Sequence, residues 1–289
     1  MTAKAPFSET LAGAYAHCES LVQEHDRDRW LAGLFAPADA RAHLCALAAF
    51  SYEVGRLREF IREPLAGEMR LAWWREALLG DRQSEVAGSP IAAALIDTID
   101  RIHLPREAFA SLLSARTFDL YDDPMPSLND LEGYCGETCS ALFRLGALIL
   151  GGGRDLGGAD AAGHSGVAYA MVGLMRALPL ASARGQLYMP MDVLSRHDVS
   201  REEVIGARDS PGLRAALAEL REHARGHLEK ARRLALQVPR EIAPAFLPLA
   251  YPPLYLDVME RRDYSPFKTI VEASQWRRQW ALWRAARKW

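Results

Sequence analysis

Apolar residues recur at helical spacing from one end of this chain to the other, and runs of β-branched residues are nearly missing. The pattern predicts an all-α protein, in which apolar helix stripes must be buried against one another. At 289 residues the chain is long enough to bury most of its surface, since chains of about 300 residues bury roughly three quarters of theirs. The length permits one large domain or two small ones; no stretch is rich enough in Pro, Gly or Ser to read as a linker, and no repeat is visible. The formal net charge of −2 gives no global attraction to nucleic acid.

Helix punctuation divides the chain. Residues 8–24 form an amphipathic helix with Ser8 as N-cap, and 26–29 form a polar break. Pro37 starts a long helix running to Ile61. Residues 68–79 form a helix whose Trp73 and Trp74 are expected in the core, followed by a loop over 81–89. Pro90 and Pro105 open two further helices, the second ending near Asp119, Asp122 and Asp123. That acidic cluster reads as a turn before it reads as a metal site. Residues 128–150 form a helix capped by Asn129 or Asp130, with Cys135 and Cys139 on one face. Zinc would need two further ligands of suitable spacing, so packing is the better reading. His223 and His227 stand four apart on a helix over 212–236, but their flanks, Glu222, Arg225 and Glu229, make a solvated face.

The four cysteines lie in apolar helical contexts and read as reduced core thiols. The opening residues MTAKAPFSET have no signal-peptide core. No uncharged apolar run reaches the ~18 residues of a spanning helix. A cytoplasmic protein, soluble or at most peripheral on a membrane, is expected. The final stretch, 268–289, is a basic tail with six Lys/Arg against one acid. Its Trp276, Trp280 and Trp283 fall on one helical face beside Arg277 and Arg278. Such a stripe suits an anionic membrane surface, and it equally suits an ordinary core face.

One stretch carries more. Residues 166–190 read GVAYAMVGLMRALPLASARGQLYMP. Small residues at Gly166, Ala168, Ala170 and Gly173 allow a close helix approach; Arg176 ends the helix and Arg184 follows the break. Two cations beside a tight seam suggest an anion pocket. This stretch resembles the second signature of the squalene/phytoene synthase family, an Arg-Asp pair with a further Asp four residues on, then Arg-Gly and a Tyr-Leu-Pro exit. Arg176, Arg184, Gly185, Tyr188 and Pro190 match, while Ala177 and Ala181 fill the two aspartate positions. The family's first Asp-rich motif falls where this chain has Glu53, Gly55, Arg56 and Glu59. Tyr134-Cys135 is similar to a helix that lines the family's substrate cavity.

The resemblance spans about 30–267 and implies the isoprenoid synthase fold, a helical bundle around a central apolar cavity. In active members two carboxylate clusters hold Mg²⁺, which clamps the diphosphates of two prenyl diphosphates. Mg²⁺ needs hard oxygen ligands, and Ala177 and Ala181 supply none. Losing metal assistance worth several kcal/mol reduces turnover by orders of magnitude. Catalytic residues and a metal are therefore not expected, and Mg²⁺ enters only if the chain is a head-to-head prenyltransferase with an unorthodox site. A narrower likeness, over 34–41, 49–53, 69–74, 174–179 and 189–192, is to the family's complex I assembly-factor branch. It implies a non-catalytic role with respiratory complex subunits as partners. An isoprenoid or diphosphate ligand, held without metal by Arg56, Arg58, Arg176, Arg184 and Tyr188, is the remaining expectation.

Overall fold

The computed structural model describes residues 7–61 and 63–288, with the side chains of 7–10 outside the description. Among the described residues the regular structure is all helical, and there is no strand. The chain forms two compact units, each assembled from separated stretches.

The first unit takes the chain up to Leu120, Leu145–Leu156 and Pro239–Ala245. Its helices are α1 (Phe7–His25), α2 (Arg27–Gly33), α3 (Ala38–Gly55), α4 (Leu57–Phe60), α5 (Pro64–Leu79), α6 (Gln83–Val86), α7 (Pro90–Ile102) and α8 (Arg106–Ala115). A 3₁₀ turn, Arg116–Leu120, follows. Here α1, α3 and α7 pack mutually around Phe50, Ala46 and Leu95. A polar bond network ties the same three helices. The Tyr15 hydroxyl donates to Asp97 at 2.7 Å and lies 3.0 Å from the buried Thr98 hydroxyl, which is 2.8 Å from His43 Nδ1.

Several boundaries differ from the sequence-based expectation. The helix begins at Phe7, so Ser8 lies inside its first turn, and its side chain is outside the described residues. The polar break at 26–29 shrinks to Asp26, which caps α2 by accepting from the Arg29 amide at 3.3 Å. The helix begun after Pro37 stops at Gly55, because Arg56 leaves helical geometry before α4. Residues 83–86 of the expected loop are helical. Trp74 is fully buried, but Trp73 is half-buried and donates its indole N–H to Glu85 at 2.7 Å.

The second unit takes Tyr121–Arg144, Gly157–Val238 and Phe246–Trp289. It holds α9 (Leu128–Cys135), a π-helical turn Gly136–Ser140, and the start of α10 (Ala141–Leu150). It continues with α11 (Ala159–Arg176), α12 (Leu178–Ala183), α13 (Met191–Arg196), α14 (Arg201–Ile205) and α15 (Pro211–Ala235). A 3₁₀ segment Ala243–Ala250, α16 (Pro252–Met259) and α17 (Gln275–Ala286) complete the chain. Ser127, rather than Asn129 or Asp130, caps α9, accepting from the Asp130 amide at 3.2 Å. The main packing pair is α11 against α15, with the π-turn against α11.

All four cysteines are buried thiols outside any disulfide, as expected of core positions. Burial pushes the thiols of Cys18 and Cys45 up to about 12, so neither is a thiolate at neutral pH.

Burial lowers the pKa of His43, with Asp97 opposing. A folded-state pKa below the unfolded value of about 6.5 means that the unfolded chain takes up a proton first as pH falls. Stability contributed by neutral His43 is thus full above ~6.5 and is lost as pH drops below it. His164, also lowered by burial, acts in the same sense. Urea midpoints between pH 7.5 and 5.5 should fall, and His43→Gln should flatten part of that slope. An unchanged slope would remove His43 from the account.

Candidate functional site

The first of the two degenerate motifs sits at the junction of α3 and α4. Glu53, near the end of α3, accepts from Arg70 of α5 at 2.5 Å (Nη2) and 3.2 Å (Nε). It also accepts the Trp74 indole N–H at 3.1 Å. The Arg70 guanidinium lies over the Trp73 ring, 4.2 Å from its centre. Arg56 pairs with Glu59 and lies over the rings of Tyr52, at 4.7 Å, and Phe60, at 5.2 Å. A Cβ on Gly55 would stand 3.5 Å from the Arg116 guanidinium, which in turn pairs with the buried Asp119 at 2.9 Å. Each carboxylate here is thus bound to an arginine, and a third arginine faces the position where the family has its first aspartate. Arg58 lies on α4, half-buried. Asp119 is an ion-pair partner inside the 3₁₀ turn rather than the start of an acidic cluster.

The second motif lies at the end of α11. Arg176 is that helix's last residue, as the spacing predicts. Its guanidinium stacks on Tyr255 at 3.7 Å and donates from Nε to the Val271 carbonyl at 3.0 Å. It therefore tethers the segment leading into α17. Ala177 is the joint between α11 and α12, and Ala181 is buried. Ala181 and Tyr188 line a cavity of about 20 Å³ with Leu131, Met171, Met175 and Leu178. A cavity needs about 10–15 Å³ to hold a single water. Arg184 closes α12, and Gly185 follows at φ +78°, a left-handed conformation that favours glycine. Arg201 holds this loop by donating to the carbonyls of Asp122 (3.1 Å) and Gly185 (3.4 Å). The Tyr188 ring lies 5.8 Å from that of Tyr134. Arg56 and Arg58 belong to one unit and Arg176 and Arg184 to the other.

These residues do not fit Mg²⁺. One motif offers carboxylates already neutralised by guanidinium groups, and the other offers methyl groups around a space for one water.

One feature escaped the sequence and a second was left open by it. His227 Nδ1 lies 3.0 Å from His164 Nδ1 of α11, and His227 Nε2 lies 3.3 Å from Glu132 of α9. Separations of 63 and 95 residues leave no local signal. The tryptophans of the tail are not a core face. Trp276, Trp280 and Trp283 are 68%, 53% and 41% exposed, and Leu282 alone is buried on α17. Trp280 and Trp283 stack on one another at 5.0 Å. Arg277 and Arg278 beside them are half-buried.

The profile of the squalene/phytoene synthase family matches residues 22–284. The chain belongs to that family. A mouse protein named NADH dehydrogenase (ubiquinone) complex I, assembly factor 6 is 29% identical over 262 residues, covering 91% of this chain and 78% of its own length. A Drosophila melanogaster homolog of that factor is 31% identical over 255 residues, covering 86% and 76%. Among solved structures, a dehydrosqualene synthase superposes with a TM-score of 0.80 at 20% identity, over 97% of this chain and 98% of that one. The isoprenoid synthase fold expected from the signatures is therefore the fold of this family member. No described helix is long and apolar enough to cross a membrane.

Proposed function

We propose that this squalene/phytoene synthase family member is a non-catalytic assembly factor for a respiratory membrane complex of the NADH dehydrogenase type. One observation carries the reading: the surviving carboxylates of the first motif, Glu53 and Glu59, are held by Arg70 and Arg56, while Ala177 and Ala181 leave the second motif without oxygens. The names of the mouse and fly relatives supply the partner class. The exposed indole stripe of α17, flanked by basic residues, supports peripheral attachment to an anionic membrane, because indole favours the headgroup region and cations favour anionic lipid.

The test is removal of the chain from its host, followed by native gel separation of the membrane fraction and an NADH oxidation assay. Assembled complex and NADH oxidation should both fall several-fold, and purified protein given farnesyl diphosphate and Mg²⁺ should yield no condensed hydrocarbon. Normal complex levels together with Mg²⁺-dependent product would overturn the proposal in favour of head-to-head prenyl transfer.

A further inference from the structure

In the second unit, α17 does not close against its neighbours along its whole length. Between it, the end of α15, the 3₁₀ segment and the start of α16 lies a groove of about 530 Å³. That volume falls within the ~300–1,000 Å³ range of small-molecule sites. Its floor is apolar, with Phe246 fully buried and Leu249 nearly so. Small side chains on α17, Ala281 and Ala285, leave the space open. Trp276 and Trp280 stand at the mouth, more than half exposed. Among the described residues, the ionic groups on its walls are the cations Arg232, Arg277, Arg284 and Lys288, with no Asp or Glu beside them.

An apolar trough with a wholly cationic rim is complementary to a molecule with one apolar end and one anionic end. A soluble anion has no use for the floor, and an apolar peptide has no use for four cations. The indoles at the mouth mark the side that meets an interface, since Trp places an apolar body and an N–H donor at the boundary between hydrocarbon and water.

We infer that this groove binds an anionic phospholipid of the membrane surface, with one acyl chain between α17 and the Phe246–Leu249 floor and the phosphate at Arg277, Arg284 and Lys288. The inference rests on the peripheral membrane attachment proposed above, and names the ligand that α17 takes there. The groove thereby does more than adsorb: it extracts part of a lipid, so shape as well as charge sets affinity.

Vesicle co-sedimentation of the full chain separates the two ideas. Phosphatidylcholine vesicles containing phosphatidylglycerol should bind the protein, and pure phosphatidylcholine should bind it far less. Arg284→Gln and Lys288→Gln should each weaken binding about fivefold, from the ~1 kcal/mol attributable to a cation near an anionic leaflet. Ala281→Trp fills the groove without altering charge, and should weaken binding at least as much. Phosphatidylglycerol with brominated acyl chains should quench tryptophan fluorescence, and Trp276→Phe with Trp280→Phe should abolish most of that quenching. If Ala281→Trp binds as the parent does while the charge variants weaken, membrane attachment stands and the groove inference falls. If the parent ignores anionic vesicles, both fall. If micellar farnesyl diphosphate competes and vesicles do not, the occupant is a soluble amphiphile and the phospholipid assignment is overturned.

Discussion

Gly166→Ala should destabilise the protein by about 3 kcal/mol or more, at or beyond the upper end of ordinary overpacking costs. Gly166 is buried on α11, where a Cβ would overlap the backbone N and Cα of Ser140 in the π-turn. Backbone atoms cannot rotate away as a side chain can. The Ser140 hydroxyl also donates to the Gly163 carbonyl at 2.7 Å, which fixes the two segments in this approach. To admit one methyl group, α11 has to part from the π-turn, and the packing on either side loosens with it. The same substitution seven residues on makes the matched control. A Cβ on Gly173 meets no atom within 4 Å, so Gly173→Ala should stabilise by about 0.4–1 kcal/mol through helix propensity and chain entropy. Urea unfolding of both variants checks the sign at each position. Equal effects of the two would show that the close approach is not what excludes a side chain at Gly166.

Trp74→Ala should cost about 3–5 kcal/mol, the range for deleting a buried aromatic side chain. Trp74 is fully buried and meets Phe50 edge-on at 4.9 Å, and Phe50 in turn meets Phe109 at 5.6 Å. Its indole N–H is also one of the donors on Glu53. Truncation therefore opens a cavity in the first unit and removes a bond from a part-buried carboxylate. Trp74→Phe separates the two contributions. It keeps most of the ring but not the N–H, and its cost should be near the ~1–3 kcal/mol of leaving a polar group short of a partner. Thermal unfolding of the two variants measures the difference. A Phe variant as unstable as the Ala variant would place nearly all of the effect in the bond to Glu53 and little in the packing.

Both positions bear on what the family frame became in this chain. The frame that would aim two carboxylate clusters at a metal is present as helices of the right kind in the right order. The first cluster's remaining acids serve instead as ion-pair and hydrogen-bond acceptors that join α3, α4 and α5. Arg176 has a structural task in holding Val271 and Tyr255. Fold and chemistry are separable, because a site is a small set of side chains on a large scaffold. The helices require apolar stripes, close-packed seams and caps; none of these depends on an aspartate at 177 or 181.

Features that depend on neighbours three or four residues away can be read from the residue pattern alone. The all-α class, the helices opened by Pro90 and Pro105, the end of α11 at Arg176 and the close seam at Gly166 were all legible. So was family membership, because its signatures are contiguous. Boundaries slipped where two local signals competed, as at Asp26 and Arg56, or at Ser127, where adjacent polar residues can all cap. Helix packing settles which of two adjacent tryptophans is buried, that Glu53 meets Arg70 seventeen residues on, and that His227 meets His164 of α11. It also decided that Leu282, and not the indole stripe, anchors α17. Those outcomes depend on how each helix is rotated about its axis and where its neighbours cross it. Periodicity fixes the width of an apolar face, but the partner helix decides which edge of that face is covered.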